Sequence, residues 1–139
     1  MARALMLLGT KRAWVVHGAD GLDEISTTGY TKVSECRDGA VNTFYLHPAD
    51  VGLSKSTCES LRGGEAKDNA AIARSILGGA PGAQRDIVLL NAGASLLISG
   101  QAPTIPEGIA MAAEAIDSGR AAKTLDSLVQ TSQDGAAAP

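Results

Sequence analysis

Residues 13–24 read AWVVHGADGLDE, a short apolar run followed by a glycine-rich turn and two adjacent acids. The run at 13–16 has no alternating polar residues, which is typical of a strand buried on both faces in a parallel sheet. Asp23 and Glu24 follow just past the end of that strand. Because ligands of open α/β sheets bind at the carboxyl ends of strands, the stretch predicts an α/β fold with a candidate site at these acids.

The next segment has the pattern of an antiparallel hairpin. Residues 31–36 (TKVSEC) and 41–47 (VNTFYLH) alternate polar and apolar side chains, as half-buried strands do. Asp38 and Gly39 lie between them and form a dipeptide that favours tight hairpin turns. The sequence therefore predicts two paired strands shortly after Asp23 and Glu24.

Most of the remaining chain has helical patterns. Helices are predicted over residues 3–8, 54–61, 65–77 and 85–100, and from Pro106 onward with a break at Ser118-Gly119. Ile109, Ala113 and Ile116 are predicted to line the inner face of the helix after Pro106. Gly93 is an unfavourable residue inside a helix, costing about 1 kcal/mol relative to Ala. A tail without core residues is predicted over 132–139.

The strand at 13–16 has no βαβ partner in this sequence, and the predicted sheet is small for a strand of the parallel type. This imbalance predicts that part of the domain lies outside these residues. No repeat and no interdomain linker interrupts the chain, so its 139 residues are expected to form one unit.

The composition excludes some classes of function. The net charge of −3 and a pI near 5.3 argue against a binder of nucleic acid or of membrane surfaces, which would carry a basic face. No apolar run approaches the ~20 residues of a membrane span, and no secretory signal is evident. Cys36 and Cys58 lack metal-type spacing, so a reduced cytoplasmic protein is predicted in preference to one with a disulfide.

The acids at 23 and 24 are the main candidate metal ligands. Hard carboxylate oxygens suit Mg²⁺, which takes one or two carboxylates plus waters and substrate phosphates. Taken alone, an acid pair in a turn is more often a solvated surface feature.

His17 is a weaker candidate for a general base and is better explained as a structural residue. Gly63-Gly64, placed before a helix, could cradle a phosphate, but a plain turn is favoured because Glu65 follows. Asn91 is expected to be a satisfied buried amide, and Trp14 a core residue.

Four blocks in this order resemble the C-terminal part of the anthranilate phosphoribosyltransferase family, which is related to the pyrimidine nucleoside phosphorylases. They are RAWVVHGADGLDEISTTG (12–29), LRGGEAKDNAAIARSIL (61–77), RDIVLLNAGASLLISG (85–100) and EGIAMAAEAIDSGRA (107–121). The resemblance covers residues 1–131. Two small departures are Tyr30, where the family usually has Pro, and Gly93, where Ala is common.

The resemblance implies transfer of a phosphoribosyl group from phosphoribosyl pyrophosphate to anthranilate in tryptophan biosynthesis. It implies a mixed sheet with helices, a homodimer, and Mg²⁺ held by the acids of the DGLDE motif, here Asp23 and Glu24. It gives no catalytic residue in this chain. The family's G-T-G-G-D loop and its contacts to the phosphates and to anthranilate are not in these residues, so the substrate-binding residues stay unknown.

The absence of this loop and of these contacts predicts that the sequence is the C-terminal portion of a chain more than twice as long and is inactive alone. Three alternatives stay open: an inactive fragment, half of a split enzyme, and a relative that uses another amine or a nucleobase. We also expect the hairpin edge and helices 65–77 and 87–99 to expose apolar surface to solvent.

Overall fold

The computed structural model describes residues 1–136, in which three strands and five helices form an α/β unit. The strands are β1 (Arg12–Gly18), β2 (Thr31–Arg37) and β3 (Ala40–Leu46). The helices are α1 (Ala2–Leu7), α2 (Ala66–Leu77), α3 (Ala83–Ile98), α4 (Ile105–Asp117) and α5 (Arg120–Ala136). Two short 3-10 turns, Pro48–Val51 and Glu59–Leu61, lie between β3 and α2.

The sheet is antiparallel throughout the described residues, with the strand order β1-β2-β3. Val16 of β1 lies opposite Val33 of β2, which lies opposite Phe44 of β3. The prediction of a parallel-type strand at 13–16 was therefore wrong. Its apolar run has another cause: α3 packs against one face of the sheet, whereas α1 contacts the other face, where Cys36 is buried near Thr10. An antiparallel strand covered on both faces also loses its polar alternation.

The hairpin prediction is confirmed. β2 and β3 pair directly, and the turn between them has left-handed backbone at Asp38 (φ 49°) and Gly39 (φ 79°). Two successive residues with positive φ define the type I′ turn, whose twist matches that of the flanking strands.

The main core lies between the sheet and α3. Val33 and Leu90 are completely buried there, and Ile25, from the connection between β1 and β2, is 3% exposed. Trp14 packs edge-on against Phe44, with ring centroids 5.3 Å apart, which confirms its assignment to the core. The connection between β1 and β2 is thus part of the folded core.

Helices α3 and α4 approach closely at a pair of glycines. A Cβ on Gly93 would lie 2.7 Å from the backbone nitrogen of Ile109, and one on Gly108 would collide with the Gly93 carbonyl. Gly93 is therefore required by the crossing, which explains an interior glycine that helix propensity alone disfavours. The predicted inner face of α4 is confirmed, because Ile116 is buried and Ile109 and Ala113 pack against the core. The helix also buries residues beside that set, which are Ile105, Gly108 and Ala112.

The other helix predictions are largely confirmed. Residues 65–77 and 85–100 correspond to α2 and α3, and α4 ends just before Ser118, as expected. The stretch 54–61 has only a 3-10 turn instead of a helix. The predicted tail at 132–139 begins inside α5, which continues to Ala136; residues 137–139 lie outside the described residues. None of the helices described is long and apolar enough to span a membrane.

Candidate functional site

The candidate site is the connection between β1 and β2, residues 19–30. Backbone hydrogen bonds close it at its base: the Gly18 amide donates to the Leu22 carbonyl at 2.9 Å, and the Ala19 amide to the Tyr30 carbonyl at 3.0 Å. The chain thus leaves the sheet, forms a compact loop and re-enters at the neighbouring strand. We call residues 19–30 the acidic loop.

Asp20 organises the inside of the acidic loop. One of its carboxylate oxygens accepts hydrogen bonds from the hydroxyls of Ser26 and Thr28, both at 2.5 Å, and the other accepts from the Leu22 amide at 3.1 Å. Burial raises the pKa of Asp20, but these hydrogen bonds together outweigh burial and hold the pKa below its ordinary value. The ionised carboxylate is therefore the form that stabilises the loop.

Gly18 makes room for this arrangement. A Cβ at this position would collide with a carboxylate oxygen of Asp20 and would lie 3.2 Å from the Ser26 Cβ. A side chain at the end of β1 would therefore displace the Asp20 carboxylate from the position in which it folds back over the strand end.

Asn91, in the middle of α3, fixes the acidic loop to the helical layer. Its side-chain oxygen accepts from the Ile25 amide at 2.9 Å, and its side-chain nitrogen donates to the Ile25 carbonyl at 2.9 Å. A third hydrogen bond runs from the same nitrogen to the Ile87 carbonyl within the helix. The expectation that Asn91 is a satisfied buried amide is confirmed for its hydrogen bonding, although the side chain is only partly buried.

A second anchor fixes the far side of the acidic loop. The backbone carbonyl of Thr27 accepts from the Ser56 amide at 2.8 Å, and the Thr27 hydroxyl accepts from the Ser56 hydroxyl at 2.9 Å. Thr27 itself is completely buried. The acidic loop is therefore held at Ile25 by Asn91 of α3 and at Thr27 by Ser56.

Asp23 and Glu24 lie on the exposed part of this anchored loop. Neither carboxylate takes part in an ion pair or a side-chain hydrogen bond with the described residues. Partial burial raises the pKa of Glu24, and the negative charges of Asp23 and Asp20 raise it further. Three acids close enough to influence one another create a negative potential that a cation would relieve.

The donor set fits a hydrated Mg²⁺ ion. Across residues 1–136 no group of three or more His, Cys, Asp or Glu side chains is placed to hold a metal by itself. Two adjacent carboxylates agree with the usual chemistry of Mg²⁺, which keeps several waters and takes its other ligands from substrate phosphates. Asp23 and Glu24 could thus hold the ion on one side only.

An open cavity of about 360 Å³ borders the acidic loop. It is lined by Asp20, Leu22, Cys58, Leu61, Arg62 and Gly63. A larger cavity of about 680 Å³ lies among apolar side chains of α3, α4 and α5, and no residue of the acidic loop lines it. The smaller cavity contains the charged side chains of Asp20 and Arg62, whereas the larger one is mainly an uncovered apolar surface.

The weaker candidates do not join this site. The amide of Gly64 is taken by the side-chain oxygen of Asn69 at 2.8 Å, and the Glu65 amide faces Asp68 at 3.2 Å. These amides are therefore occupied by helix caps, which favours the plain turn over a phosphate cradle. His17 is exposed at the end of β1. Cys36 and Cys58 are both free thiols, as predicted.

The sequence analysis missed Asp20 and the partner of Asn91. A signal for Asp20 was available: a carboxylate two residues before Leu22, followed by the hydroxyl run Ser26–Thr28, suits a local network of side-chain hydrogen bonds to backbone and hydroxyls. No local signal could connect Asn91 to Ile25, because the two lie far apart in the chain.

The chain matches the model of the "Glycosyl transferase family, a/b domain" over residues 1–122. It is 53% identical to an anthranilate phosphoribosyltransferase of Azorhizobium caulinodans, covering 96% of this chain and 39% of the relative. It is 55% identical to the enzyme of that name from Mesorhizobium japonicum, covering 95% of this chain and 39% of the relative.

Solved structures show the same similarity. The crystal structure of anthranilate phosphoribosyltransferase from Thermus thermophilus superimposes with a TM-score of 0.83 at 39% identity, covering 93% of this chain and 38% of that one. The Saccharomyces cerevisiae enzyme in complex with PRPP and Mg gives a TM-score of 0.77 at 26% identity, covering 88% and 36%. The chain spans less than half the length of the relatives that it matches. Over most of its own length, this chain belongs to the glycosyl transferase family and has the fold of part of its α/β domain.

Proposed function

We propose that this chain is the metal-holding part of an anthranilate phosphoribosyltransferase, with Asp23 and Glu24 as its Mg²⁺ ligands. The reaction is transfer of the phosphoribosyl group from phosphoribosyl pyrophosphate to the amine of anthranilate, with release of pyrophosphate. The single observation that carries this proposal is the exposed Asp-Glu pair on an anchored loop, in a chain that is 53% identical to a relative of that name.

The charge of the site suits the leaving group of this reaction. Pyrophosphate gains negative charge as its bond to the ribose breaks, and Mg²⁺, when bound, would offset that charge. Asp23 and Glu24 would hold the ion on the exposed part of the acidic loop. Asp20 adds negative potential without being free to bind the ion, because its carboxylate is already occupied by hydroxyls and an amide.

The substrates are proposed from the structural neighbours. The yeast enzyme has been solved in complex with PRPP and Mg and in complex with 4-fluoroanthranilate. A G-T-G-G-D loop for the pyrophosphate does not occur in this sequence. We therefore propose that the activity needs residues that the relatives carry outside the part matched here. The homodimer and the cytoplasmic location stay predictions of the resemblance.

The test follows loss of anthranilate fluorescence in the presence of phosphoribosyl pyrophosphate and Mg²⁺. The samples are the chain alone and the chain mixed with a separately expressed N-terminal portion of a relative. We expect activity only in the mixture. The double variant Asp23→Asn/Glu24→Gln should lower the activity of the mixture by roughly 10²- to 10³-fold, since it removes charge stabilisation of the departing pyrophosphate.

A matched control separates the site from a general effect of charge. Glu114 and Asp126 are exposed on α4 and α5, and Glu114→Gln/Asp126→Asn removes the same two charges away from the acidic loop. This control should leave activity within a factor of two or so of the unaltered chain. Activity of the chain alone, or equal losses in both double variants, would contradict the proposal. An active mixture with another amine or a nucleobase in place of anthranilate would assign the acceptor differently.

A further inference from the structure

We infer that Asn91 is a positioning residue for the metal pair, because it holds the backbone next to Glu24 in one orientation. The inference rests on the proposed function, since it concerns how Asp23 and Glu24 are presented to a cation. It assigns a role to a helix residue that does not itself face the cation.

The contact made by Asn91 is specific to one peptide segment. Its amide group accepts from the Ile25 N–H and donates to the Ile25 C=O, each at 2.9 Å, so that one side chain satisfies both backbone groups of one residue. The remaining N–H is held by the Ile87 carbonyl at 2.9 Å. The amide plane therefore cannot rotate without breaking hydrogen bonds. These hydrogen bonds restrict movement of the loop backbone relative to α3.

The position of Ile25 in the loop makes this rigidity useful. Glu24 precedes it directly, and Ser26, which follows it, is held by the Asp20 carboxylate and by the Thr31 hydroxyl. On the other side of the acids, the Leu22 amide is held by the Asp20 carboxylate, so Asp23 and Glu24 lie between two fixed points. Ligand groups of a metal site work best when neighbouring residues restrict them to a small range of positions.

Neither aspartate nor alanine supplies the same contact at this place. Aspartate has the shape of asparagine but lacks the two N–H donors, so lone pairs would face the carbonyls of Ile25 and Ile87. Alanine would leave both backbone groups of a 3%-exposed residue without their partner. Asparagine is also a poor helix former in a helix interior, so its presence there needs a reason such as this contact.

The chain contains a matched control for this chemistry. Asn69 makes the same paired contact with another loop residue: its oxygen accepts from the Gly64 amide at 2.8 Å, and its nitrogen donates to the Gly64 carbonyl at 2.9 Å. That loop carries neither Asp23 nor Glu24. Asn69→Ala therefore removes an equivalent pair of hydrogen bonds without altering the acidic loop.

The experiment uses the full chain labelled with ¹⁵N and two readouts besides activity. The first is hydrogen exchange of the amides in residues 20–26 and, for comparison, of Leu90 in the buried part of α3. The second is broadening of the Glu24 amide signal by Mn²⁺, used alone as a paramagnetic probe for the Mg²⁺ position. The variants are Asn91→Ala, Asn91→Asp and Asn69→Ala; Asn91→Asp gives both readouts if Asn91→Ala does not fold.

We expect Asn91→Ala to raise amide exchange in the acidic loop by at least about tenfold, with exchange at Leu90 changed much less. The Mn²⁺ concentration for half-broadening at Glu24 should rise by about tenfold, the lower end of what loss of a supporting contact does to metal affinity. Asn69→Ala should change neither readout. Unchanged exchange in the acidic loop would overturn the inference, and so would raised exchange with unchanged broadening.

The double variant Asp23→Asn/Glu24→Gln, with Asn91 intact, distinguishes this inference from the proposed function. If it leaves Mn²⁺ broadening at the amide of residue 24 unchanged, the metal site itself is wrong and the inference fails with it. If it removes the broadening while Asn91→Ala does not weaken it, the proposed site stands and only the positioning role of Asn91 is rejected.

Discussion

Two connections in the same sheet join neighbouring antiparallel strands, one by a short turn and the other by a long loop. β2 and β3 are joined by a tight turn at Asp38 and Gly39, whereas β1 and β2 are joined by residues 19–30. Both pairs of strands are antiparallel neighbours. The short turn shows that two residues are enough to join such strands, so the length of the acidic loop is not needed for strand pairing.

The longer connection uses its extra residues in two ways. Ile25, Ser26 and Thr27 are buried, so the acidic loop contributes to the core, whereas the short turn is exposed. Its polar residues form hydrogen bonds inward, and this leaves Asp23 and Glu24 outside. Long loops with internal structure are more often functional than short turns. The difference between the connections is thus one of role: the short one closes a hairpin, and the long one displays two acids.

The largest effect on stability is expected from Ile25, the buried apolar residue of the acidic loop. Ile25→Ala should lower the free energy of unfolding by about 2–4 kcal/mol, because it removes a core side chain and leaves a cavity. Val41→Ala, beside the short turn, should cost well under half as much, because Val41 is 38% exposed. Urea unfolding of both variants measures the difference. Equal losses would show that the acidic loop is not part of the core.

A smaller difference in stability is expected between alanine substitutions at a glycine of each connection. Gly39 has φ 79° with open space around the place of a Cβ, so Gly39→Ala meets only backbone strain and should cost about 1 kcal/mol. Gly29, in the acidic loop, also has open space but no positive φ, so Gly29→Ala should be neutral or slightly stabilising. Thermal unfolding of the two variants tests this. A loss at Gly29 as large as at Gly39 would contradict the description of the acidic loop.

The same contrast explains how much of the fold could be predicted from the sequence. The hairpin was predicted because Asp38-Gly39 between alternating strands is a local signal, and the helices because their periodicity is local too. The direction of β1 was mispredicted, since its pairing partner and the cover from α1 and α3 depend on contacts distant in sequence. The close approach of α3 and α4 at Gly93 and Gly108 could not be predicted for the same reason.

The candidate site was predictable only in part. The acids at 23 and 24 were identified from residue type, from their place after a strand and from a resemblance in the motif DGLDE. What holds them, the hydroxyls around Asp20 and the amide of Asn91, needs the folded chain, because a hydrogen bond to a residue on α3 leaves no pattern around the acids. The part of a site that binds can thus be visible in sequence when the part that positions it is not.

The smallest effect on stability should have the opposite sign and concerns Glu24. Partial burial and the neighbouring charges of Asp23 and Asp20 raise the pKa of Glu24. Its ionised form is therefore less favourable in the folded chain than in the unfolded one. Glu24→Gln removes that disadvantage and should stabilise the chain at neutral pH by at most a few tenths of a kcal/mol, because the side chain is largely exposed and screened by solvent. The same variant should weaken Mn²⁺ binding.

The pH dependence of this gain follows from the direction of the pKa shift. Well below the ordinary glutamate value of 4.5, Glu24 is protonated in both states, so Glu24→Gln should change nothing there. The gain should develop as the pH rises through the raised pKa of the folded chain.

Glu35, near the other end of β1, gives the contrast. Burial raises its pKa, but hydrogen bonds from Trp14 and Arg12 and the charge of Arg12 outweigh burial and lower it. Glu35→Gln should therefore destabilise the chain at neutral pH, with a loss that fades as the pH falls through the lowered pKa. Urea unfolding of both variants across this pH range would show two curves of opposite sign. A stabilising Glu35→Gln or a destabilising Glu24→Gln would contradict the opposite directions of the two pKa shifts.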